Sequence, residues 1–367
     1  MQHFVDLTRE YQKEKKEINT AVQKVLNSGI FLNGFYVSQF EKSFADFLGV
    51  ENVIGVGSGT DAITLALKTL SIGQGDEVIL PTNVYPSIYG VLQSGAGPIF
   101  ADVNPKTYNL DRKSLEKIKL SKKIKAILFV HLYGNPSGIL EVAEFARKHK
   151  LFLVEDVAHA HGALLKGKMA GSFGDISCFS FYPTKPLGAY GDAGAIASAS
   201  KRLAKTAIFL RNRAEKKRFV SEKTSVYTHL DDIQAAILSV KLGFLKMNNQ
   251  KRQTLAAQYV RQLSGLPLEF QQITPACKHA YMHFVIKINK RDKLQAYLKK
   301  YGIPTDVHYP LPLHLQPSLA YLGHKKGDFP IAESLSQQVL SLPLYPYMEK
   351  GEMRIVIQAI QSFFHQK

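Results

Sequence analysis

Short apolar runs that alternate with longer amphipathic stretches constrain this chain more than any other feature. Seven such runs lie between residues 50 and 200, at 53–56, 77–80, 98–103, 126–132, 151–155, 176–181 and 194–197. Their continuous apolar character is typical of strands that are buried on both faces. Helix-like segments such as 61–70 and 140–148 separate them. The alternation predicts an α/β fold with a mostly parallel, seven-stranded sheet.

The rest of the chain predicts a second, smaller α+β domain. A long helical pattern covers residues 231–263, and a strand at 282–288, a helix at 291–301, a Pro-rich stretch and a last helix follow it. We place the boundary inside the long helix, which gives a large domain at 1–245 and a small domain at 246–367. The first 25 or so residues predict a helix before the sheet, and the small domain is one candidate neighbour for it.

The charge of the chain permits two interpretations. With 47 Lys and Arg against 30 Asp and Glu, the formal charge is +17. Nucleic-acid binding would produce such an excess, but the basic residues are dispersed and no stacking aromatic platform accompanies them. We therefore expect no nucleic-acid partner, and a basic surface that attracts an anionic small substrate.

Cysteine content and hydropathy indicate the compartment. Only Cys178 and Cys277 occur, which excludes a disulfide framework and suits a reducing environment. No apolar run approaches the roughly 20 residues that span a bilayer, and the N-terminus lacks the apolar core of a signal peptide. The sequence predicts a soluble, cytoplasmic protein without a membrane partner.

The first candidate site is a glycine-rich turn, Gly57-Ser58-Gly59-Thr60, between a predicted strand and a predicted helix. Glycines allow backbone N–H groups to approach an anion, and a helix N-terminus favours negative charge. The turn is not a dinucleotide fingerprint, because Thr60 stands where a third glycine is needed, and it has no Walker lysine. An ordinary strand-to-helix turn with an N-cap is an equal alternative.

The second candidate is Asp156, a carboxylate at the carboxyl end of a predicted strand, where open α/β sheets bind ligands. His159 and His161 follow it, so a metal site is conceivable. This spacing is common in loops by chance, and we expect no metal. The alternative for Asp156 is a cap on the next segment.

The third candidate is Lys185, which follows an apolar strand among prolines and glycines. A desolvated lysine of lowered pKa can form a covalent bond to an aldehyde, although a lone loop lysine is more often solvated surface. An anion cradle, a carboxylate and a reactive amine at three strand ends together fit pyridoxal phosphate. The carboxylate would keep the pyridine nitrogen protonated, and the lysine would hold the aldehyde.

The same residues belong to motifs that resemble the DegT/DnrJ/EryC1/StrS sugar aminotransferases, which are pyridoxal phosphate enzymes of fold type I. The resemblance runs nearly end to end. It is carried by residues 4–7, 57–62, 75–79, 155–156, 161–163, 180–185, 191–195, 230–236 and 307–310.

The resemblance implies a role for each matching residue. Lys185 and Asp156 are the catalytic pair, the lysine bonded to the aldehyde and the acid facing the pyridine nitrogen. The other implied cofactor-binding residues are Gly59, Thr60 and Ser180 at the phosphate, Tyr85 stacked on the ring, and His159 near the ring hydroxyl.

It also implies a substrate. Residues 186–192 resemble members that aminate C3 of a dTDP- or UDP-linked keto sugar, with glutamate as donor. For the substrate, the candidate contacts are Tyr182, His308, Tyr309 and His314, with a loop packed by its prolines as the alternative. Because cofactor sites in this family lie between subunits, the resemblance implies a homodimer with shared active sites.

Three departures from the family pattern bear on the site. Tyr227 and His229 stand where the family often has Asn and Arg, and His159 stands where a Gln is common. The charge of an imidazole varies near neutral pH, so His159 could alter the cofactor contact. The first two substitutions favour an alternative function, a binding or regulatory protein that keeps the fold and the cofactor but has lost turnover.

Overall fold

The computed structural model describes residues 3–365 of the chain. Among these residues, the α-helices are α1 Leu7–Ser28, α2 Phe35–Leu48, α3 Gly59–Thr69, α4 Ser87–Ser94, α5 Arg112–Glu116, α6 Ile139–Lys148, α7 Lys201–Arg211, α8 Asp232–Leu263, α9 Arg291–Lys300, α10 Pro330–Gln338 and α11 Lys350–His365. Short 3-10 turns cover Leu132–Gly134, Leu313–Leu315 and Pro317–Leu322.

The strands fall into one large sheet and several small ones. In the large sheet they are β1 Asn52–Val56, β2 Glu77–Pro81, β3 Gly97–Ala101, β4 Ile124–Val130, β5 Phe152–Asp156, β8 Ile176–Ser180 and β9 Gly194–Ser198. The remaining strands are β6 Leu164–Leu165, β7 Lys168–Met169, β10 Glu215–Lys217, β11 Val220–Ser221, β12 Glu269–Phe270, β13 Cys277–Lys278, β14 Phe284–Lys287 and β15 Val339–Leu342.

The large sheet confirms the predicted α/β fold. Its strand order is β1-β9-β8-β5-β4-β2-β3, and each of the seven predicted runs overlaps one strand. Only β9 runs antiparallel to its neighbours β1 and β8, whereas the other pairs are parallel. The parallel strands therefore present their carboxyl ends at one edge, where open α/β sheets bind ligands.

Helices cover both faces of this sheet, which explains why the strands are apolar throughout. Along β2, Val78 and Leu80 pack in one core cluster with α3, α4 and α7. Ile79, which points to the opposite face, packs in a second cluster with α6. Near β1 and β9, the same opposite face is covered by α2 and α8. A strand between two helical layers has no polar face, so the period-2 alternation of a half-exposed strand is lost.

A second, smaller sheet has the order β12-β14-β15 and packs with the end of α8, α9 and α11 around a separate cluster that includes Tyr259. The start of α1 joins this region, since Arg9 pairs with Glu352 at 2.8 Å and the Tyr347 hydroxyl donates to Glu14 at 2.9 Å. The sequence patterns did not predict β15 or α10.

The chain crosses between the two regions more often than a single boundary suggests. Strand β13 pairs with β6 beside the large sheet, and Leu313 and Ala332 lie in the main core cluster. The division at residue 245 stays a prediction. Within residues 3–365, none of the helices combines the length and the apolar content that crossing a bilayer requires.

Candidate active site

A cavity of about 270 Å³ lies at the carboxyl edge of the large sheet. Eight of the residues singled out in the sequence line it together, namely Gly59, Thr60, Asp156, His159, Ser180, Tyr182, Lys185 and Tyr309. They come from the ends of different strands and from a loop of the C-terminal third. The topology therefore brings together groups that are up to 250 residues apart in the chain.

One end of the cavity is the N-terminus of α3. Ser58 caps the helix, and its hydroxyl accepts the N–H of Asp61 at 3.1 Å. The first-turn N–H groups of a helix have no intrahelical acceptor, so those of Gly59 and Thr60 can bind an anion. A Cβ atom on Gly59 would lie 2.6 Å from Cβ of Ser180. Only glycine lets the helix approach β8 this closely.

Asp156 ends β5 with its carboxylate buried. Oδ1 accepts the N–H of Ala158 at 3.0 Å, and Oδ2 accepts the hydroxyl of Ser87 at 2.6 Å. Ser87, the first residue of α4, also lines the cavity. Sequence reasoning missed this serine, because its partner lies 69 residues away. The two hydrogen bonds fix the orientation of the carboxylate.

Lys185 lies in the turn that follows β8, where its N–H donates to the Tyr182 carbonyl at 2.8 Å. Burial lowers the pKa of its amine to about 8, and the Asp156 carboxylate opposes that shift. A substantial fraction of the amine is therefore neutral near physiological pH, which nucleophilic attack on a carbonyl requires.

His159 is uncharged in this cavity. Burial lowers the pKa of its ring well below the usual range, and the nearby Lys185 charge lowers it further. Its Nδ1 accepts the N–H of Tyr133 at 3.3 Å, which leaves the proton on Nε2. The ring lies nearly parallel to Tyr133 and Tyr309, at centroid distances of 6.5 and 6.4 Å. Its charge is thus fixed, and the sequence-based expectation of a charge that varies near neutral pH is wrong.

Comparison with known proteins decides the family. The sequence profile of the DegT/DnrJ/EryC1/StrS aminotransferase family matches residues 12–361. The chain belongs to this family. It is 39 % identical over 361 residues to a dTDP-3-amino-3,6-dideoxy-alpha-D-galactopyranose transaminase of Aneurinibacillus thermoaerophilus, covering 98 % of this chain and 99 % of the relative.

Two other similar proteins bear on the fold and on the alternative function. The chain is 38 % identical over 366 residues to a pleiotropic regulatory protein of Geobacillus stearothermophilus, and 98 % of each is covered. A crystal structure of DesV from Streptomyces venezuelae, in complex with a ketimine intermediate, has a TM-score of 0.96 at 37 % identity, and the match covers 100 % of this chain and 99 % of that one.

The aminotransferase uses pyridoxal phosphate, and its cavity fits that cofactor. The N–H groups of the α3 N-terminus suit the phosphate, the buried Asp156 carboxylate suits a protonated ring nitrogen, and the desolvated Lys185 amine suits the aldehyde. The absence of a Cβ on residue 59 lets the start of α3 lie directly against Ser180 of β8, which also lines the cavity. Among residues 3–365, no group of three His, Cys, Asp or Glu side chains is arranged to hold a metal ion.

Three predicted site residues of the aminotransferase do not line the cavity. Tyr85 is 37 % exposed, and its hydroxyl lies 2.6 Å from that of Tyr89, although its neighbours Val84 and Pro86 are lining residues. His308 packs against His283 with ring centroids 3.6 Å apart and the rings tilted by 33°. His314 is buried between Thr82 and Glu333.

The segment that departs from the family pattern lies next to the α3 N-terminus. Tyr227 is exposed, with the Arg213 guanidinium 4.3 Å from its ring centroid, and His229 hydrogen-bonds Asn33 at 3.0 Å. Between them, the Thr228 hydroxyl accepts the N–H of Gly57 at 2.8 Å. Sequence reasoning missed Thr228, which connects this segment to the anion-binding turn.

Replacing Gly59 with alanine tests the anion-binding turn. We expect Gly59→Ala to weaken pyridoxal phosphate binding by about tenfold or more, because the new Cβ forces α3 and β8 apart. The measurement is a spectroscopic titration of the apoenzyme. Gly243→Ala is the matched control, since a Cβ there meets no atom within 4 Å in the middle of α8. Equal affinities for both variants would contradict this account of the turn.

The lowered pKa of the Lys185 amine can be tested through the pH dependence of its chemical labelling. A lysine labels as its neutral form, so labelling of Lys185 in the apoenzyme should rise with pH with a midpoint at about 8 and then level off. Asp156→Asn removes the charge that raises this pKa, so the midpoint should move to lower pH. Peptide mass spectrometry after a short pulse of an amine-reactive reagent measures both. Labelling that still increases toward pH 10 would show that the amine is solvated.

Proposed function

We propose that this chain transfers an amino group from glutamate to C3 of a dTDP- or UDP-linked keto sugar. The observation that carries the proposal is the placement of Lys185 and Asp156 in one cavity at the N-terminus of α3. The similarity to a transaminase named for a dTDP-3-amino sugar supports the sugar and the position of amination. The formal charge of +17 suits a nucleotide diphosphate.

Lys185, Asp156 and His159 have separate roles in the proposed reaction. When bound, pyridoxal phosphate supplies an electron-withdrawing ring and the carbon that carries the amino group. Lys185 would hold that carbon through Nζ and, once released, would accept the α-proton of the donor on Nζ and donate it to that same carbon. Asp156 would keep the ring nitrogen protonated. His159, with its proton on Nε2, offers a neutral donor to the ring hydroxyl.

The proposed substrate contacts narrow to residues at the cavity. Tyr309 is a wall residue, and Tyr182 lines the cavity with about half of its surface exposed. We therefore propose that these two side chains contact the sugar. His308 and His314 have protein partners instead, so we assign them no contact with the substrate.

We further propose that the protein is a homodimer that completes each site at the subunit interface. An apolar surface patch, which we call the α1–α2 patch, consists of Leu26, Ile30, Phe31, Leu32 and Phe35, each 46–68 % exposed. It lies beside the 227–231 segment, because Leu32 bridges to Asp231 and Asn33 bonds His229. An apolar patch of this kind next to the anion-binding turn suits burial by a second copy. The two free cysteines suit a cytoplasmic enzyme.

A second candidate function has its own support. The chain is as similar to a protein named as a pleiotropic regulator as to the transaminases. A regulator could retain the cofactor and use its liganded state as a signal. The two functions differ in one observable, since only the enzyme converts its cofactor with glutamate.

A substrate panel tests the enzyme. We expect wild-type protein with glutamate to aminate a 3-keto nucleotide sugar faster than its 4-keto isomer, and Lys185→Ala to lose this activity by several orders of magnitude. Mass spectrometry of the sugar product measures the transfer. Lys168→Ala, a lysine outside the cavity, is the control. A cofactor band that forms but never changes with glutamate would favour the regulator, and unchanged activity in Lys185→Ala would sink the mechanism.

The dimer has a separate test. Phe31→Glu places a charge in the α1–α2 patch, and we expect it to shift the protein from dimer to monomer in sedimentation velocity and to weaken cofactor binding. Tyr301→Glu, at an exposed tyrosine in the small-sheet region, should change neither. A wild-type protein that sediments as a monomer of 41.0 kDa while binding the cofactor would refute the shared site.

A further inference from the structure

A buried hydrogen-bonded chain lies behind the cavity and joins Thr82, His314 and Glu333. The Thr82 hydroxyl lies 2.8 Å from His314 Nδ1, and His314 Nε2 lies 2.9 Å from Oε1 of Glu333. All three residues are at most 9 % exposed. The contacts resemble a hydroxyl–imidazole–carboxylate relay, yet none of the three residues lines the cavity.

One donor in this chain is fixed by its partner. A carboxylate only accepts, so His314 donates from Nε2 to Glu333, and its Nδ1 faces the Thr82 hydroxyl. The Thr82 oxygen in turn accepts the N–H of His314 at 3.4 Å, and the Thr82 carbonyl accepts the N–H of Leu313 at 2.8 Å. Two contacts from His314 and one from the Leu313 backbone thus hold this segment against Thr82.

Glu333 is itself anchored to the large sheet. It lies in the first turn of α10, where its carboxylate also accepts the N–H of Gly327 at 2.8 Å. The same helix start is bound to the end of β3, because the Asp102 carboxylate accepts the N–H groups of Ile331 and Ala332 at 3.0 and 2.9 Å. The acid therefore cannot move without disturbing the strand ends.

The two ends of the relay lead directly to the cavity. Thr82 follows β2, and its turn continues into Val84, Pro86 and Ser87, of which Ser87 donates to Asp156. On the other side, five residues before His314, Tyr309 forms a wall of the cavity and lies parallel to His159. One imidazole thus holds both the segment that orients Asp156 and the segment that carries Tyr309.

We propose that His314, with Thr82 and Glu333, is a positioning residue that sets the relative placement of Asp156 and Tyr309 around the cofactor. Sequence analysis predicted that His314 contacts the substrate, whereas in the structure His314 does not line the cavity. Its effect is transmitted through the Thr82–Ser87 turn and the 309–314 segment. The inference rests on cofactor binding in this cavity and is independent of the sugar substrate in the proposed function.

The test uses single-atom changes in the full-length protein. Thr82→Val removes the hydroxyl at nearly constant shape, Thr82→Ser keeps it, and Glu333→Gln removes the charge that His314 faces. We expect Thr82→Val and Glu333→Gln each to raise the cofactor dissociation constant about tenfold. Thr82→Ser keeps the hydroxyl, so its dissociation constant should stay within about twofold of the wild-type value. His324→Gln is the control, a half-buried histidine 3.4 Å from Asp328 in the same region.

The measurements distinguish an effect on the placement of Asp156 and Tyr309 from an effect on protein stability or on substrate binding. Cofactor affinity and the pH midpoint of the bound cofactor's visible band are measured well below the melting temperature of each variant, with circular dichroism to confirm folding. If the three residues only stabilise the fold, the variants will have a lower melting temperature but wild-type cofactor affinity and a wild-type pH midpoint. That result would overturn the proposal. If Thr82→Val fails to fold, the Glu333→Gln and Thr82→Ser pair decides by the same criterion. Neither measurement requires the sugar, so an incorrect substrate assignment would not affect the result.

Discussion

A lysine amine and a single buried carboxylate in one desolvated cavity are the interaction on which the rest of this structure depends. Burial alone would drive the amine of Lys185 toward neutrality, while the charge of Asp156 raises its pKa again, and the balance lies at about 8. This balance requires the amine to stay buried and the carboxylate to stay near it. The carboxyl ends of parallel strands provide a frame for both groups, since β5 and β8 are adjacent and carry the acid and the lysine turn.

Two tyrosines near His159 have backbone conformations that are energetically unfavourable for residues other than glycine. Tyr133 and Tyr309 have φ values of 62° and 65°, in the left-handed region that favours glycine. Such conformations cost about 1–3 kcal/mol each and persist when surrounding contacts determine them. Here both tyrosine rings lie near His159 and nearly parallel to it, and the Tyr133 N–H fixes its tautomer. The strain is thereby linked to a neutral imidazole at the cofactor site.

The sequence predicted the fold and part of the site for a common physical reason. The seven apolar runs and the positions of Gly59, Asp156 and Lys185 relative to them are local patterns, and strand ends converge in any parallel sheet. Ser87, Thr228 and Thr82 act through partners 69 to 232 residues away, which spacing along one chain cannot show. His314 illustrates the limit most clearly. Its residue type suggested substrate chemistry, but its burial against Glu333 is a property of the folded α10.

The walls of the cavity and its mouth differ in how firmly their side chains are held. The walls that would touch the cofactor are tied into the core, since Asp156, His159 and the 309–314 segment each have buried hydrogen bonds. The mouth is different, because Tyr182, which lines the cavity just before Lys185, is 53 % exposed. Side chains at the mouth can change conformation at little cost to the core. The cofactor frame is thus fixed by core contacts, whereas the exposed side chains at the mouth remain free to take up different conformations.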